Sequence, residues 1–239
     1  MTPWHGGGAD RLRLSRTAAA ADTRPMDSPA RIGVIGDVHA CDQSLARLLE
    51  HLQDVERVDM LCCVGDIVNG PGDPDRCAAM LAAADVLTVR GNHDRWLIDG
   101  PTVIDMTHRL EDLAPATVSY LRGLPASVAF AAAGDIPVLL CHGLGDNDMN
   151  AITADDYGYA LEANDDLQAL LGAGRAGLVL KGHRHRHAIW RIGEMTLVDA
   201  GSLTEPAAPC AVVVGVGART ITPLRVSAAG VSADPALPL

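Results

Sequence analysis

Residues of the types that bind metal ions recur along this chain, each time directly after a short aliphatic run. The residues in these positions are Asp37, His39, Asp66, Asn92, His93, Asp94, His142, His183 and His185. Mixed carboxylate, imidazole and amide groups suit transition-metal ions, whereas calcium prefers oxygen ligands alone. Any one of these blocks by itself fits a turn or a helix cap. Taken together, the blocks favour a metal site.

The number of candidate ligands indicates more than one ion. Seven residues form the predicted ligand set, namely Asp37, His39, Asp66, Asn92, His142, His183 and His185. One octahedral ion rarely needs so many protein groups, whereas two divalent ions that share a bridging carboxylate would use them all. Paired ions about 3.5–4 Å apart can clamp the attacking and leaving oxygens of an in-line displacement. The chemistry this predicts is phosphoester hydrolysis with manganese as the first choice of metal, and Fe, Zn, Ni or Co as alternatives.

The stretch KGHRHRH at 181–187 contains three of the histidines. Alternate residues of an extended segment point to the same side, so His183, His185 and His187 would share one face. The segment by itself fits either a metal-binding row or a solvated edge strand.

The elements that would position these residues follow from the hydrophobic pattern. Apolar strands alternate with helical patterns such as SLARLLEHLQ at 44–53, which predicts β-α-β-α-β over residues 31–94. Later segments such as IPVLLCHG and CAVVVGV predict strands of a hairpin-like region. The pattern indicates an α/β fold of mixed sheets with helices outside. Sites in such folds gather at the carboxyl ends of strands, where the candidate ligands stand.

Composition excludes several classes of protein. The 239-residue chain is 48% apolar, which supports a sizeable core, but only 3% aromatic, and its formal net charge is -11. Few aromatic rings and an acidic balance argue against general nucleic-acid binding. The sequence contains no apolar run long enough for a membrane span, and its six cysteines do not suggest a disulfide framework. A cytoplasmic location is the resulting expectation.

The motifs resemble those of the calcineurin-like metallophosphoesterases. D-V-H (37–39), G-D-x-x-x-G (65–70), G-N-H-D (91–94), H-G (142–143) and G-H-R-H (182–185) occur in the order of that family. The resemblance extends from about residue 31 to residue 216 and is closest to the small bacterial phosphodiesterase branch. It implies an α/β fold built as a four-layer α-β-β-α sandwich of two mixed sheets flanked by helices.

The resemblance also implies a role for each residue. Asp37, His39, Asp66 and His185 would hold the first metal, and Asp66, Asn92, His142 and His183 the second, with Asp66 bridging. A hydroxide bridging the metals would attack phosphorus. His93 would assist the transition state and protonate the leaving oxygen, Asp94 would orient or polarise His93, and Asn92 and His93 would contact the substrate.

Departures from the family pattern leave alternatives open. The V-D-R-G segment of protein serine/threonine phosphatases is here V-N-G-P, which lacks an arginine that binds phosphate there. The prediction is a phosphodiesterase or phosphomonoesterase acting on a small phosphoester or nucleotide. A protein phosphatase, a nucleotide-specific hydrolase and a non-catalytic scaffold of the same fold are the alternatives. The sequence does not identify the substrate or oligomeric state, nor does it decide between Met1 and Met26 as the start.

Domain boundaries follow from composition. Residues 1–30 are predicted to be a disordered tail, 31–228 the metallophosphoesterase domain, and 229–239 a frayed C-terminal tail. No role follows from the sequence for His187, Arg95 or Arg184.

Overall fold

The structure is a computed structural model that describes residues 28–100, 106–174, 177–204, 208 and 210–239. The predicted disordered tail therefore lies almost wholly outside the described residues. None of the described helices combines the length and the apolar character needed to span a membrane.

The first half of the chain alternates strands and helices, as the hydrophobic pattern predicts. Its elements are β1 (Arg31–Ile35), α1 (Asp42–Glu50) with a wider π-helical turn (His51–Val55), β2 (Met60–Cys63), α2 (Pro74–Ala83), β3 (Leu87–Thr88), α3 (Asn92–Asp99) and α4 (Pro115–Gly123). A 3₁₀ turn (Leu110–Asp112) precedes α4. Helix α2 starts at Pro74 because proline suits the first helical position, and the Asp73 carboxylate accepts a hydrogen bond from the Arg76 amide.

The second half supplies most of the strands. Its elements are β4 (Ser127–Ala132), β5 (Ile136–Cys141), α5 (Tyr159–Glu162), α6 (Asp165–Ala173), β6 (Leu178–Lys181), β7 (Ala188–Ile192), β8 (Met195–Asp199), β9 (Ala211–Gly215), β10 (Thr220–Ser227), β11 (Gly230–Ala233) and β12 (Leu237–Pro238). One sheet has the order β11-β10-β9-β1-β2-β3, with β12 also paired to β10, and the other has the order β4-β5-β6-β8-β7. Each contains parallel and antiparallel pairs.

Three apolar cores separate four layers. Between the sheets, Val34 of β1 and Val138 of β5 belong to one buried cluster. The other faces of the sheets pack on helices: Ile35 with Leu48 of α1, and Leu139 with Leu167 of α6. Successive strand residues thus serve opposite faces, as the strand repeat requires. The predicted α-β-β-α sandwich of two mixed sheets is confirmed.

The C-terminal segment differs from the prediction of a frayed tail after residue 228. Strand β11 pairs antiparallel with β10, from Ser227 opposite Gly230 to Leu224 opposite Ala233. The amide of Leu239 donates to the carbonyl of Arg219, and the Leu239 side chain is buried. The open edge of β10 supplies main-chain partners that local composition does not reveal, so the fold continues to the last residue.

Candidate metal centre

The loops at the carboxyl ends of β1, β2, β5 and β6, together with the start of α3, bring all seven predicted ligands together. Asp37 follows β1, Asp66 follows β2 and His142 follows β5, and all three side chains are almost fully buried. These are the strand ends that face each other across the two sheets. The sheet topology therefore builds the site that the strand-end pattern predicts.

Backbone strain is concentrated in this region. Four of the seven ligands have a positive φ, with values of 44° at His39, 49° at Asp66, 77° at His183 and 57° at His185. Residues other than glycine rarely adopt this conformation, and where they do the surrounding structure must hold them there. Four strained residues around one point indicate a functional site, because the surrounding structure must hold each of them in this conformation.

Two glycines allow the loops to approach the buried carboxylates. A Cβ atom at Gly91 would overlap the Asp66 carboxylate, and one at Gly182 would overlap the Asp37 carboxylate. Both positions therefore require glycine because a side chain would displace a candidate ligand.

Asp66 lies at the centre of the cluster. Its Oδ2 is 3.5 Å from Nε2 of His39 and 3.3 Å from Nε2 of His142, while its Oδ1 accepts a hydrogen bond from the His93 amide (2.9 Å). The Asp66 carboxylate thus lies between His39 and His142. Burial would raise the pKa of Asp66, but the charge of His142 and its hydrogen bond lower it below the ordinary value, so this carboxyl is ionised.

The remaining contacts divide the candidates into two groups. On one side, Nε2 of His39 lies 2.9 Å from Nε2 of His185, which is 3.5 Å from Oδ2 of Asp37. On the other side, the Asn92 side-chain oxygen lies 2.8 Å from Nε2 of His142 and 3.0 Å from Nδ1 of His183. These contacts agree with the two ligand subsets that the family resemblance implies, with Asp66 between them. Oδ1 of Asp37 also lies 3.6 Å from Nδ1 of His142, so the assignment of each residue to one ion stays a prediction.

The hydrogen bonds of two histidines show what the cluster lacks. His39 donates from Nδ1 to the carbonyl of Asn69 (2.9 Å), and His142 donates from Nδ1 to the carbonyl of Val64 (2.8 Å). When His39 is neutral, its Nε2 therefore presents a lone pair toward Nε2 of His185 and Oδ2 of Asp66, whereas protonated His142 directs an Nε2–H at Asp66. Facing lone pairs repel unless positive charge lies between them, so the residues fit divalent cations.

Electrostatics supports the same conclusion. Burial opposes ionisation of His142, yet the carboxylates of Asp66 and Asp37 raise its pKa to about 10. Burial, together with the charges of neighbouring histidines, lowers the pKa of both His183 and His185 to about 4. The carboxylates around His142 thus stabilise a positive charge at this buried position. The imidazoles of His183 and His185 stay neutral and are available as ligands.

In the described part of the chain the Asp94 carboxylate forms no hydrogen bond with the His93 ring, which corrects the expectation that it orients this ring. The Asp94 carboxylate instead accepts hydrogen bonds from the amides of Ile67 (2.8 Å), Val68 (3.2 Å) and Gly91 (3.0 Å). Its role is to fasten the β2 loop to the start of α3. The physical reason is that α3 begins at Asn92, so its third residue points back at the free amide of the capping residue Gly91, beside the loop that follows β2.

Asn69 is the partner of His93, and the sequence reasoning missed it. The Asn69 side-chain oxygen accepts from both the amide (2.7 Å) and the hydroxyl (3.0 Å) of Thr107, so its nitrogen faces Nδ1 of His93 at 2.7 Å. An amide N–H that donates to Nδ1 leaves the ring proton of neutral His93 on Nε2. The available signal is the asparagine in the V-N-G-P departure, which in the sequence indicates only the loss of an arginine.

His93 also lies near two candidate ligands. Nitrogen or oxygen atoms of His39, Asp66 and His93 come within 4.8 Å of one another. However, the Asn69 contact occupies the lone pair of Nδ1 and places the proton on Nε2, so neither nitrogen of His93 is free to bind a metal. The Asn69 contact is consistent with a place for His93 outside the ligand set, which stays a prediction.

The histidine-rich segment at 181–187 is not the extended strand that would place its three histidines on one face. Strand β6 ends at Lys181 and β7 begins at Ala188, so the row is a loop. His183 and His185 reach the site through their left-handed backbone, whereas His187 donates from Nδ1 to the carbonyl of Asp199 (2.9 Å). The row therefore supplies two candidate ligands, and His187 is half-buried outside the cluster.

Comparison with known proteins agrees with the motifs. A family model for the calcineurin-like phosphoesterase superfamily domain matches residues 30–217. Serine/threonine-protein phosphatase 1 of Salmonella typhimurium is 32% identical over 68 residues, which is 28% of this chain and 32% of that protein. The symmetrical bis(5'-nucleosyl)-tetraphosphatase of Coxiella burnetii is 33% identical over 85 residues, 35% of this chain and 29% of that protein. These matches span only about a third of the curated relatives.

The fold is shared over a longer stretch. The crystal structure of a metallophosphoesterase from Sphaerobacter thermophilus superposes with a TM-score of 0.58 at 23% identity, covering 87% of this chain and 88% of that one. At this level of identity the likeness shows the fold alone.

Proposed function

Since this chain belongs to the calcineurin-like phosphoesterase superfamily, we propose that it hydrolyses phosphomonoesters or phosphodiesters with two divalent metal ions, manganese first among them. The ions would be held by the seven clustered side chains, with Asp66 between them. One observation carries the proposal: the Nε2 atoms of His39 and His142, fixed by their Nδ1 bonds to carbonyls, converge on the ionised Asp66 carboxylate. The chemistry that such ions supply when bound is Lewis-acid stabilisation of phosphoryl oxygens and acidification of an attacking water.

The chain's own residues would perform the remaining tasks. His93 presents a proton on Nε2, where it can donate a hydrogen bond to an oxygen on which negative charge develops. Asn69 holds that tautomer, and Thr107 holds the amide of Asn69. Asn92, at the first position of α3, would contact the substrate beside His93.

The retained donor set favours an enzyme over a scaffold of the same fold. A binding module has no need for seven convergent ligands or for a histidine whose tautomer is fixed by a dedicated asparagine. The resemblance to the Coxiella burnetii tetraphosphatase supports nucleotides as the leading candidate substrates, and that to the Salmonella phosphatase keeps a protein substrate as the alternative. Location in the cytoplasm stays a prediction of the sequence.

The proposal is tested by metal-dependent turnover. We expect purified protein to hydrolyse bis-p-nitrophenyl phosphate when Mn²⁺ is added, to lose this activity on treatment with EDTA, and to regain it when Mn²⁺ is returned. Metal analysis after dialysis should find about two ions per chain, the number that a two-metal site requires. An Mn²⁺-treated protein that binds no metal and turns over no phosphoester would refute the proposal.

A further inference from the structure

The loop 182–187 joins β6 to β7 across the end of β8. In the sheet, β8 lies between β6 and β7. Asp199, the last residue of β8, is opposite Lys181 at the end of β6 and also opposite Ala188 at the start of β7. The loop must therefore arch over Asp199 to carry the chain from one neighbouring strand to the other.

This arch carries two candidate ligands on a strained backbone. The φ angle is 77° at His183 and 57° at His185. Residues other than glycine leave this left-handed region unless the surrounding structure holds them in it. A change of backbone conformation would also redirect both imidazoles, because each side chain is fixed to its own Cα. The loop therefore needs firm contacts at both ends if the two rings are to stay in the cluster.

The first end of the loop is held by Lys181. Its side chain is fully buried, and Nζ donates to the Gly182 carbonyl (2.9 Å) and to Oδ2 of Asp199 (3.3 Å). The Gly182 amide donates to the carbonyl of His142 (3.0 Å). Both main-chain polar groups of Gly182 are thus occupied, and the loop starts from a fixed point.

The other end of the loop depends on His187. Its Nδ1 donates to the carbonyl of Asp199 (2.9 Å), whereas its buried Nε2 has no hydrogen-bond partner among the described residues. The amides of residues 184–187 form no main-chain hydrogen bond within the part of the chain that the structure describes. The contact between His187 and Asp199 is therefore what fastens this end to the sheet.

Asp199 is also tied to the candidate metal centre. Its Oδ1 accepts from the Gly201 amide (3.1 Å), and the Gly201 carbonyl accepts from the Asp37 amide (3.0 Å). Oδ2 of Asp37 lies 3.5 Å from Nε2 of His185. His187 thus fastens the loop to the same residue that helps to place Asp37, so its contact helps to set the distance between two candidate ligands.

We propose that His187 is a positioning residue, which keeps His183 and His185 directed into the cluster by holding its end of the loop on the Asp199 carbonyl. It acts through these two ligands and contacts neither ion nor substrate. The inference rests on the proposed metal centre, but the loop conformation can be measured in metal-free protein as well.

The experiment compares substitutions that place a side-chain N–H differently. In His187→Asn the nitrogen is bonded to Cγ, as Nδ1 is in histidine, and can still donate to the Asp199 carbonyl. In His187→Gln the nitrogen is one bond further out, and in His187→Ala it is absent. We expect the Kd for Mn²⁺, measured by calorimetric titration, to rise about tenfold in the Gln and Ala variants, the lower end of what loss of a ligand-supporting contact costs. The Asn variant should bind Mn²⁺ like the wild type.

The matched control is His51→Ala. His51 is also half-buried, but it lies in the turn after α1, where its Nε2 is 3.5 Å from Glu56. Its loss should leave the Kd for Mn²⁺ unchanged. Should His187→Ala fail to fold, the comparison of Asn with Gln still decides. Equal Mn²⁺ affinities in these two variants would overturn the inference.

Hydrogen exchange in the metal-free protein separates this inference from the hydrolase proposal. The His183 amide donates to Oδ2 of Asp37 (3.0 Å), and the Ala200 amide donates to the Lys181 carbonyl (2.9 Å). A tenfold rise in Kd corresponds to a loop that keeps its binding conformation about one tenth of the time, so the His183 amide should lose most of its protection in His187→Gln. The Ala200 amide, at the end of β8, should keep its own.

The outcomes differ for the two proposals. Unchanged protection of His183 in His187→Gln overturns the inference even if the wild type binds Mn²⁺ and hydrolyses phosphoesters. Lost protection with an unchanged Kd overturns it as well, because the loop would then not position ligands. Lost protection in a protein that binds no Mn²⁺ supports the hold of His187 on the loop and refutes only the metal-dependent hydrolase.

Discussion

Replacing Asn69 with Asp exchanges the amide nitrogen that faces Nδ1 of His93 for a carboxylate oxygen. The other side-chain oxygen still accepts from the amide (2.7 Å) and hydroxyl (3.0 Å) of Thr107, so the position of the side chain is retained. In the wild type, the amide N–H opposes a proton on Nδ1 and keeps His93 neutral. In Asn69→Asp, the carboxylate accepts from an Nδ1–H and stabilises the imidazolium, which can give up a proton to a leaving oxygen.

The size of the effect follows from this contact. A hydrogen bond to a charged group contributes about 1.5–3 kcal/mol, and one pKa unit corresponds to about 1.4 kcal/mol. Because His93 is half-buried, the lower end applies, and we expect its pKa to rise by about one unit. Burial lowers the pKa of His93 in the wild type, with the charges of His39 and His142 acting in the same direction. The substitution therefore opposes that shift, and the protonated fraction at neutral pH increases.

The assay compares two leaving groups. Phenolate needs a proton on departure more than p-nitrophenolate does, so kcat/KM for phenyl phosphate should rise about tenfold relative to p-nitrophenyl phosphate in Asn69→Asp, one pKa unit being a tenfold change in protonation. The limb of the pH profile that requires protonated His93 should extend to higher pH by about one unit, because a raised pKa keeps the ring protonated to higher pH. Nitrogen-15 spectra of the histidine rings should show the Nε2–H tautomer in the wild type and, at a pH below the raised pKa, protonation of both nitrogens in the variant.

The control carries the same charge change elsewhere. Asn164→Asp at the N-terminal cap of α6 retains a good capping residue and lies on a different element from His93. An unchanged leaving-group ratio and unchanged ring spectra in Asn69→Asp, with metal content preserved, would show that Asn69 does not set the proton position of His93.

Three further predictions concern metal binding and stability. Asp66→Ala should reduce bound metal from about two ions per chain to less than one; elemental analysis that still finds two would contradict its bridging position. Lys181→Met should lower the free energy of unfolding, measured in urea, by about 3 kcal/mol because it leaves the buried Asp199 carboxylate without its ion-pair partner at 3.3 Å. A loss below about 1 kcal/mol, which is typical of exposed ion pairs, would contradict the buried role of this pair. Burial raises the pKa of Asp199 to about 6, above the ordinary 3.8. The folded state therefore binds this proton more tightly than the unfolded state, and the free energy of unfolding should fall as pH rises from about 4 through 6. Asp199→Asn should flatten that part of the stability profile measured in urea, relative to the wild type.

The strand-end pattern was enough to identify the members of the candidate site. Asp37 and Asp66 follow parallel strands of one sheet, whose carboxyl ends lie at one edge, so position along the chain already implies their proximity in space. His142 follows a strand of the other sheet, and the packing of the two sheets brings it to the same edge. Apolar periodicity likewise predicted the α-β-β-α layers because each strand and helix must bury an apolar face.

The orientation of side chains was not predictable in the same way. The Asp94 carboxylate binds amides at the start of α3, and Asn69 takes the contact with His93 that was expected of Asp94. Asp94 is next to His93 in the sequence, whereas Asn69 lies 24 residues before it. Which of them reaches the ring depends on helix phase and on Thr107, which lies 38 residues beyond Asn69.

The amino-acid sequence by itself determined the fold class, the family and the side chains that meet at the strand ends, because local periodicity and strand-end position are properties of the chain. Tertiary structure alone decided that His183 and His185 enter the site from left-handed loop positions rather than from a strand face, and that the strands within residues 230–239 complete a sheet. The physical reason is that backbone handedness at a loop and pairing at an open strand edge depend on partners far away in sequence, which no local pattern records.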